Sequence, residues 1–307
     1  MQFRHLRYFV NVVEAGSFSR AAAAIHVAQP ALSQQIAELE ERFGAPLLKR
    51  SARGAVPTPA GQRLYDEAVV ILRQLEELPS LVRSNIAEPE GLVTLGIAST
   101  LAPKLLGRIV AACRETLPKV NLRLSDADSE SLSREVHDNA LHMGIVLETG
   151  FDAQVARKPL YRQQLHVIGS TPLGKKKKLP LADVAKLPLV LPPAGVARRD
   201  LVDQAMKAAG LRADIILEAN SVLTELATVR AGAGYTILPT GDLSNYPAGA
   251  FSTPMPLDPP LEMTCSLVVS SDFPLTVAGE AVRDIVASAV EAFVRETKPP
   301  GAVWISV

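Results

Sequence analysis

The chain opens with apolar residues at helical spacing, interrupted by residues that end helices, and this pattern limits its first 44 residues to short helices. A first amphipathic helix is predicted by the i, i+3, i+4, i+7 spacing of Leu6, Phe9, Val10 and Val13. Gly16 ends that helix, and Ser17 caps a second one that runs from Phe18 to about Ile25. Its run of alanines, residues 21–24, allows another helix to pack closely against it.

A third helix follows after a turn of about three residues. Pro30 suits its first turn, where a missing N–H is tolerated, and Gly44 ends it. Its buried stripe is predicted at Leu32, Ile36, Leu39 and Phe43. The exposed side carries amides and a hydroxyl near the helix N-terminus, groups that can bond base edges or phosphates. Three helices in this order form a helix-turn-helix candidate, and the alternative is a small bundle used for protein contacts.

A short basic segment follows the third helix. Residues 46–50 and 56–58 flank the turn Ser51–Gly54 and predict a hairpin wing with Arg53 near its tip. The segment from Arg42 to Tyr65 holds five bases and no acid, although the whole chain balances 32 bases against 32 acids. Such a stripe is typical of a phosphate-binding surface, and the alternative is a solvated loop.

Residues 58–82 predict a long helix that pairs with a second copy. Thr58 caps it, and apolar residues recur at alternating spacings of 4 and 3, at Leu64, Ala68, Ile71, Leu75, Leu78 and Val82. This is a coiled-coil seam, whereas a solitary amphipathic helix lying on its own domain would show a wider stripe. Pro79 predicts a kink or the end of the helix at Leu78–Pro79. Pro89 and Gly91 then mark a domain boundary.

The remaining 200 or so residues alternate between strand and helix patterns, which predicts parallel sheets covered on both faces. The pattern occurs in two series, so two subdomains are expected. The strand at 264–270 and the helix from about 276 to 296 return to the first subdomain. Ligands in such folds bind at the carboxyl ends of strands, beside helix N-termini. Candidate ligand-binding residues at these ends are Ser99, Thr100, Ser129, Gly195, Val196, Arg198 and Ser221. They suit a small anion, most simply a carboxylate, although each hydroxyl alone could be only a helix cap.

Other chemistry has little support in the sequence. Cys113 and Cys265 lie in apolar surroundings, and the five histidines show no metal-ligand spacing. Phosphate loops, paired carboxylates and nucleophile elbows are missing, so neither an enzyme nor a cofactor is expected. No apolar segment has the length of a membrane span, and the first residues do not resemble a signal peptide. A cytoplasmic protein is therefore expected.

An ordered block of residues in the first 65 positions resembles a known family. The block contains SFSRAA at 17–22, AQPALSQQI at 28–36, LE at 39–40, Gly44, LL at 47–48, Arg50, RG at 53–54 and TPAG at 58–61. It is similar to the N-terminal signature of LysR-type transcriptional regulators, in which the third helix enters the major groove and the wing meets the minor groove and backbone. The resemblance implies DNA contacts from Ser17, Gln29, Pro30, Ser33, Gln34, Lys49, Arg50 and Arg53.

The resemblance extends less specifically over the rest of the chain, which looks like that family's periplasmic-binding-protein-like effector domain. The implied fold is therefore α/β with an N-terminal all-α winged helix-turn-helix at 1–58, a dimerisation helix at 59–88 and an effector domain at 89–307. Within the effector domain, subdomain I is expected at about 89–161 and 269–307, and subdomain II at about 162–268. The helix motif, the linker and residues 231–239 look closest to members regulating nitrogen assimilation and aromatic-compound metabolism.

These features predict a ligand-responsive regulator that binds double-stranded DNA as a homodimer or homotetramer. Its second partner is a small effector, expected to be a carboxylate, and RNA polymerase is a third if the protein activates transcription. The competing hypothesis is a small-molecule binding protein whose N-terminal bundle serves only assembly. Salt-dependent affinity for a palindromic DNA fragment distinguishes the two.

Overall fold

The computed structural model describes residues 2–51, 54–82, 88–150, 155–174, 176–243 and 246–305, with only the backbone given at residues 50, 51, 76, 77, 80–82, 241 and 242. The chain divides into two compact units, Met1–Ile86 and Ala87–Val307. Among the described residues, no helix combines the length and the apolar character needed to cross a membrane.

The N-terminal unit holds four helices and one hairpin. The elements are α1 Phe3–Ala15, α2 Phe18–Ala24, α3 Gln29–Phe43, β1 Leu48–Ser51, β2 Gly54–Pro57 and α4 Pro59–Val82. The three short helices and the wing are thus where the sequence predicts them. One core assignment was wrong, since Phe43 is 47% exposed at the end of α3. Val13 is partly buried against the core, and its neighbour Val12 is fully buried.

Glycines end α1 and α3 in the left-handed conformation, with φ of 60° at Gly16 and 63° at Gly44. Ser17 occupies the N-cap position of α2 as predicted, but its side chain makes no capping hydrogen bond. Pro30 lies in the first turn of α3. The residues that were predicted to start and end these helices therefore act mainly through backbone conformation.

Helix α4 has a hydrogen-bonded N-cap at Thr58 and continues through Pro79. The Thr58 hydroxyl accepts a hydrogen bond from Gly61 N at 3.0 Å. The first half of the predicted seam packs on α1, where Ala68 lies against Leu6 and Val10, while Leu78 is 50% exposed. The predicted termination at Leu78–Pro79 was wrong, because the helix runs on to Val82; residue 83 lies outside the described residues and the kink stays a prediction.

The C-terminal unit is built from strands β3–β13 and helices α5–α10. Its strands are β3 Gly91–Ala98, β4 Val120–Ala127, β5 Met143–Glu148, β6 Val155–Gly169, β7 Leu179–Pro180, β8 Pro188–Leu191, β9 Asp214–Glu218, β10 Tyr235–Pro239, β11 Met255–Asp258, β12 Glu262–Ser270 and β13 Ala302–Trp304. Its helices are α5 Ala102–Thr116, α6 Ser129–His137, α7 Leu181–Val184, α8 Ala197–Ala208, α9 Val222–Arg230 and α10 Val277–Thr297, with a 3-10 turn at Thr240–Leu243.

The strands follow the order β4-β3-β5-β12-β6-β10-β8-β9. Within each series the pairing is parallel, as predicted: β3 pairs with β4 and β5, and β8 pairs with β9 and β10. Strand β6 pairs antiparallel with both β12 and β10 and so joins the two series. Helix α10 packs against α5 and β3, which returns the chain to the first series.

Strand β6 is much longer than the sequence predicts, since only its last five residues, 165–169, were expected. Residues 155–164 pair with β12, and residues 165–169 pair with β10. The change of partner occurs where Leu165 N donates a hydrogen bond to Leu261 O at 2.8 Å. Strand β12 pairs with β5, a strand of the first series, over residues 264–269. This pairing favours a boundary between the two proposed subdomains near residue 261, where the chain crosses from one series to the other.

Candidate nucleic-acid interface and ligand cleft

The predicted reading face of α3 is ordered by hydrogen bonds between its own side chains. Gln29, Pro30 and Gln34 are exposed, and Ser33 is half-buried. The Gln29 amide Nε2 donates to Ser33 Oγ at 3.1 Å, and the Gln34 Nε2 donates to Glu38 Oε1 at 3.1 Å. The structure therefore brings four of the predicted residues to one end and one side of a helix, with amide groups that can bond base edges.

The wing, residues 48–57, is attached to α3 by an acid whose role the sequence analysis missed. Glu40 Oε1 accepts hydrogen bonds from Leu47 N at 2.8 Å and Leu48 N at 3.0 Å. On the other side of the hairpin, Thr58 N donates to Leu47 O at 2.9 Å. These contacts attach the start and the end of the wing to the body of the unit, and Glu40 joins the wing to α3.

The wing itself is an antiparallel hairpin in which Arg50 pairs with Ala55 and Ser51 with Gly54. Ala55 N also donates to Gly16 O at 2.9 Å, which places the wing against the turn that precedes Ser17. A Cβ at Gly54 would lie 2.3 Å from Gly16 O, so this approach requires glycine.

Two of the predicted DNA-binding residues whose side chains the structure describes, Ser17 and Lys49, lie outside α3. Ser17 is half-buried at the start of α2, and Lys49 is exposed on β1. Arg53 and the side chain of Arg50 fall outside the described residues. Among the described side chains of the wing, the basic one is therefore that of Lys49.

The C-terminal unit contains a cavity of about 120 Å³, called here the cleft cavity, lined by residues from both strand series. Of the predicted ligand-binding residues, Ser99, Thr100, Ser129, Val196 and Arg198 line it. Gly195 and Ser221 do not, although their neighbours Val196, Asn220 and Val222 do. Reasoning from strand ends thus located the cavity, which the residues after β3 and at the start of α6, α8 and α9 surround.

Two hydroxyls of the cleft cavity are already bonded to the backbone. Ser99 Oγ donates to Ala127 O at 3.3 Å, and Ser129 Oγ accepts from Leu147 N at 2.9 Å. Ser129 is the first residue of α6, as predicted, and the cap of that helix is Asp128, which accepts from Ser131 N at 2.8 Å. Burial works in the opposite direction, but the hydrogen bonds from Ser131 outweigh it and lower the pKa of Asp128.

Arg198 lines the cleft cavity, but its charge is neutralised within the protein. The buried guanidinium bonds Glu225 through Nη1 at 3.0 Å and Nη2 at 2.6 Å, and donates to Ile237 O at 2.9 Å. Thr236 Oγ1 donates a further bond to Glu225 Oε2 at 2.7 Å. Arg198 thus lines the cavity as predicted, but its guanidinium is held in a bidentate pair that leaves no unmatched charge for a ligand.

The other charged side chains at the cleft cavity are the carboxylates Asp128 and Glu130. Negative ligand groups must then be held by hydroxyls and by the N–H groups of helix N-termini rather than by a basic side chain. Ser221 holds the N-cap position of α9 without a side-chain bond, and the Gly195 N–H is occupied by Asp200 Oδ1 at 3.0 Å.

Both cysteines are buried, Cys113 in α5 and Cys265 in β12. Burial raises the pKa of each thiol, so the reactive thiolate is scarce at neutral pH. Among the residues that the structure describes, His, Cys, Asp and Glu form no group of three or more that could hold a metal ion.

The chain matches two family models that together cover most of its length. Residues 3–62 match the bacterial regulatory helix-turn-helix protein, lysR family, and residues 87–291 match the LysR substrate binding domain. The nitrogen assimilation regulatory protein nac of Klebsiella aerogenes is 32% identical over 292 residues, 94% of this chain and 95% of that protein. The expected likeness to nitrogen-assimilation regulators is confirmed by this match.

A hydrogen peroxide-inducible genes activator of Escherichia coli O6:H1 is 31% identical over 241 residues, 78% of this chain and 79% of that protein. The crystal structure of full-length CbnR with its target DNA is similar in fold, with a TM-score of 0.68, 23% identity and coverage of 96% and 99%. The winged helix-turn-helix, the two-series α/β unit and these matches show that the chain belongs to the LysR family of DNA-binding bacterial transcriptional regulators.

Proposed function

We propose that this regulator binds a dyad-symmetric promoter site as a dimer of dimers and responds to a small effector in the cleft cavity. The observation that carries the proposal is that Glu40 joins α3 to the wing, and that the two elements present amides and a lysine. That CbnR was solved with its target DNA supports a similar use of the surface here.

Roles follow from position on this surface. Gln29, Pro30, Ser33 and Gln34 lie on one side of α3 and would meet base edges and nearby phosphates. Lys49, with Arg50 and Arg53 from the same hairpin, would meet the DNA backbone beside the site, and Ser17 would contact a phosphate from the start of α2. Leu78, half exposed on α4, belongs to the part of the seam available to a second copy.

The cleft cavity, of about 120 Å³ and lined by residues from both strand series, suits a small-molecule effector. A carboxylate would take the N–H groups at the helix N-termini and the hydroxyls of Ser99 and Thr100. Asp128 and Glu130 repel a ligand that carries only negative charge, so they favour a carboxylate that also bears an ammonium group. Binding would shift the angle between the two strand series, and thereby the spacing of the two DNA-binding units in a dimer.

Ligand binding, rather than thiol oxidation, is the signal that the geometry supports. One relative is a hydrogen peroxide-inducible genes activator, but both thiols of this chain are buried and have raised pKa values. Action in the cytoplasm follows from a DNA partner, and RNA polymerase would be a further partner if the protein activates transcription.

The test is fluorescence anisotropy with the intergenic region beside the chain's own gene, searched for a dyad with a T-N11-A core. Specific binding should exceed binding to a scrambled fragment and should weaken steeply between about 50 mM and 200 mM salt. Binding that ignores both sequence and salt would contradict the proposal and favour an assembly role for the N-terminal bundle.

A further inference from the structure

The C-terminal unit contains a second cavity, the basic cavity, of about 780 Å³. It lies between α5, the C-terminal end of α10, the second half of β6 and the Thr240–Leu243 turn. None of its lining residues belongs to the cleft cavity. It is therefore a separate site. Its walls include helices that pack on the first strand series and strands that belong to the second.

The charge of the basic cavity is opposite to that of the cleft cavity. Lys104 and Arg108 line it, and no lining residue among those described is an acid. Arg108 Nη1 does contact Glu296 Oε2 at 2.6 Å, but the two side chains are 40% and 58% exposed. An exposed pair of this kind is only weakly stabilising, so a ligand anion in the cavity can compete with Glu296 for Arg108.

The remaining walls suit an apolar body rather than a bare inorganic ion. Phe293 is buried and lines the cavity with several prolines, which are rigid and offer no N–H donor. His166 adds a neutral ring: its Nδ1 lies 3.3 Å from Gln164 O, and burial lowers its pKa. Positive charge in the basic cavity at neutral pH therefore comes from Lys104 and Arg108 alone among the described lining residues.

We propose that the basic cavity is a second ligand site, distinct from the cleft cavity, for a small organic anion with an apolar body, of the carboxylate or sulfonate class. Its walls are already joined across the two strand series, since Thr240 Oγ1 donates to Pro300 O at 3.5 Å. An occupant contacts α5 and α10 on one side and His166 on the other. It therefore favours one relative orientation of the two series over others.

The experiment uses a matched pair of dyes on the full-length protein. The probe is 8-anilinonaphthalene-1-sulfonate, and its uncharged counterpart is N-phenyl-1-naphthylamine. The wild-type chain should bind the sulfonate saturably, with one site per chain. The double variant Lys104→Gln/Arg108→Gln should bind it at least about tenfold more weakly, since charge-assisted hydrogen bonds contribute about 1.5–3 kcal/mol.

Two controls separate charge recognition from a change in fold. Arg108→Lys keeps the charge and should retain most of the sulfonate affinity. Lys177→Gln, at an exposed lysine that lines neither cavity, should leave it unchanged. The uncharged dye should bind the wild type and the double variant equally. Absence of saturable sulfonate binding, or equal affinity of the wild type and the double variant, would overturn the proposal. Because no DNA is present, neither result bears on promoter binding.

Discussion

The carboxylate of Glu40 accepts a hydrogen bond from the backbone N–H of Leu47 at 2.8 Å, and this contact joins the C-terminal end of α3 to the start of the wing. The same oxygen also accepts from Leu48 N at 3.0 Å. One acid therefore satisfies two partly buried donors at the turn between α3 and β1. Sequence position alone gives no indication of this, because the donors lie seven and eight residues away.

Replacing Glu40 by alanine should weaken both stability and DNA binding. Two partly buried N–H groups lose their acceptor, which costs about 1–3 kcal/mol for each group left unsatisfied. The melting temperature should fall, and DNA affinity should fall further because the wing is no longer fixed to α3. Glu41→Ala is the matched control, since Glu41 is exposed on the same helix and its loss removes the same charge. Equal effects of the two substitutions would show that Glu40 acts only through its charge.

Glu225→Gln should destabilise the C-terminal unit strongly. The substitution leaves the buried guanidinium of Arg198 without a countercharge, and breaking a buried pair in this way costs about 3–5 kcal/mol. Chemical denaturation measures the change. Glu218→Gln is the control, because Glu218 pairs with Arg199 from a side chain that is 52% exposed and should cost about 1 kcal/mol or less. A comparable loss in both variants would rule out the special role of the buried pair.

The parts of the fold that the sequence predicts depend on local patterns. Apolar spacing and glycine ends give α1 to α3, and strand–helix alternation gives the two series of the C-terminal unit. Strand β6 was underestimated because its first ten residues include Pro159 and many polar side chains, which conceal the alternation of a strand. Its order comes from pairing with β12, about 100 residues later in the chain.

The candidate sites show the same division. Strand ends predicted five residues of the cleft cavity, because helix N-termini gather there in any fold of this class. The sequence analysis did not predict that Glu225 neutralises Arg198, because the two residues lie 27 positions apart in the chain. The basic cavity was missed entirely, because Lys104 and His166 come from a helix and a strand that share no local motif.

His166 should make the C-terminal unit less stable in mild acid. Burial lowers the pKa of its imidazole in the folded chain, so the unfolded chain binds a proton more readily. The stability present above the unfolded pKa of about 6.5 is lost as the pH falls through that value toward the folded pKa. Melting temperatures at about pH 7.5 and about pH 5.5 should therefore differ more in the wild type than in His166→Gln. An equal difference in both proteins would assign the pH dependence to other groups.

The thiols of Cys113 and Cys265 should resist alkylation in the native protein. Burial raises the pKa of both and blocks access, so reaction requires opening of the C-terminal unit. Mass spectrometry after iodoacetamide treatment should show little modification in buffer and complete modification in denaturant. Rapid labelling of either residue without denaturant would contradict the burial and reopen thiol oxidation as a signal.

Lys49→Gln should weaken DNA binding by similar factors for specific and scrambled fragments. Lys49 is exposed on the wing, where a phosphate contact supplies affinity without reading sequence. Losing one such contact should reduce the slope of log affinity against log salt by about 1. Lys177→Gln is the control, because Lys177 is an exposed lysine of the C-terminal unit and its replacement removes the same charge. If Lys177→Gln changes the slope as much as Lys49→Gln, bulk charge rather than a wing contact governs binding.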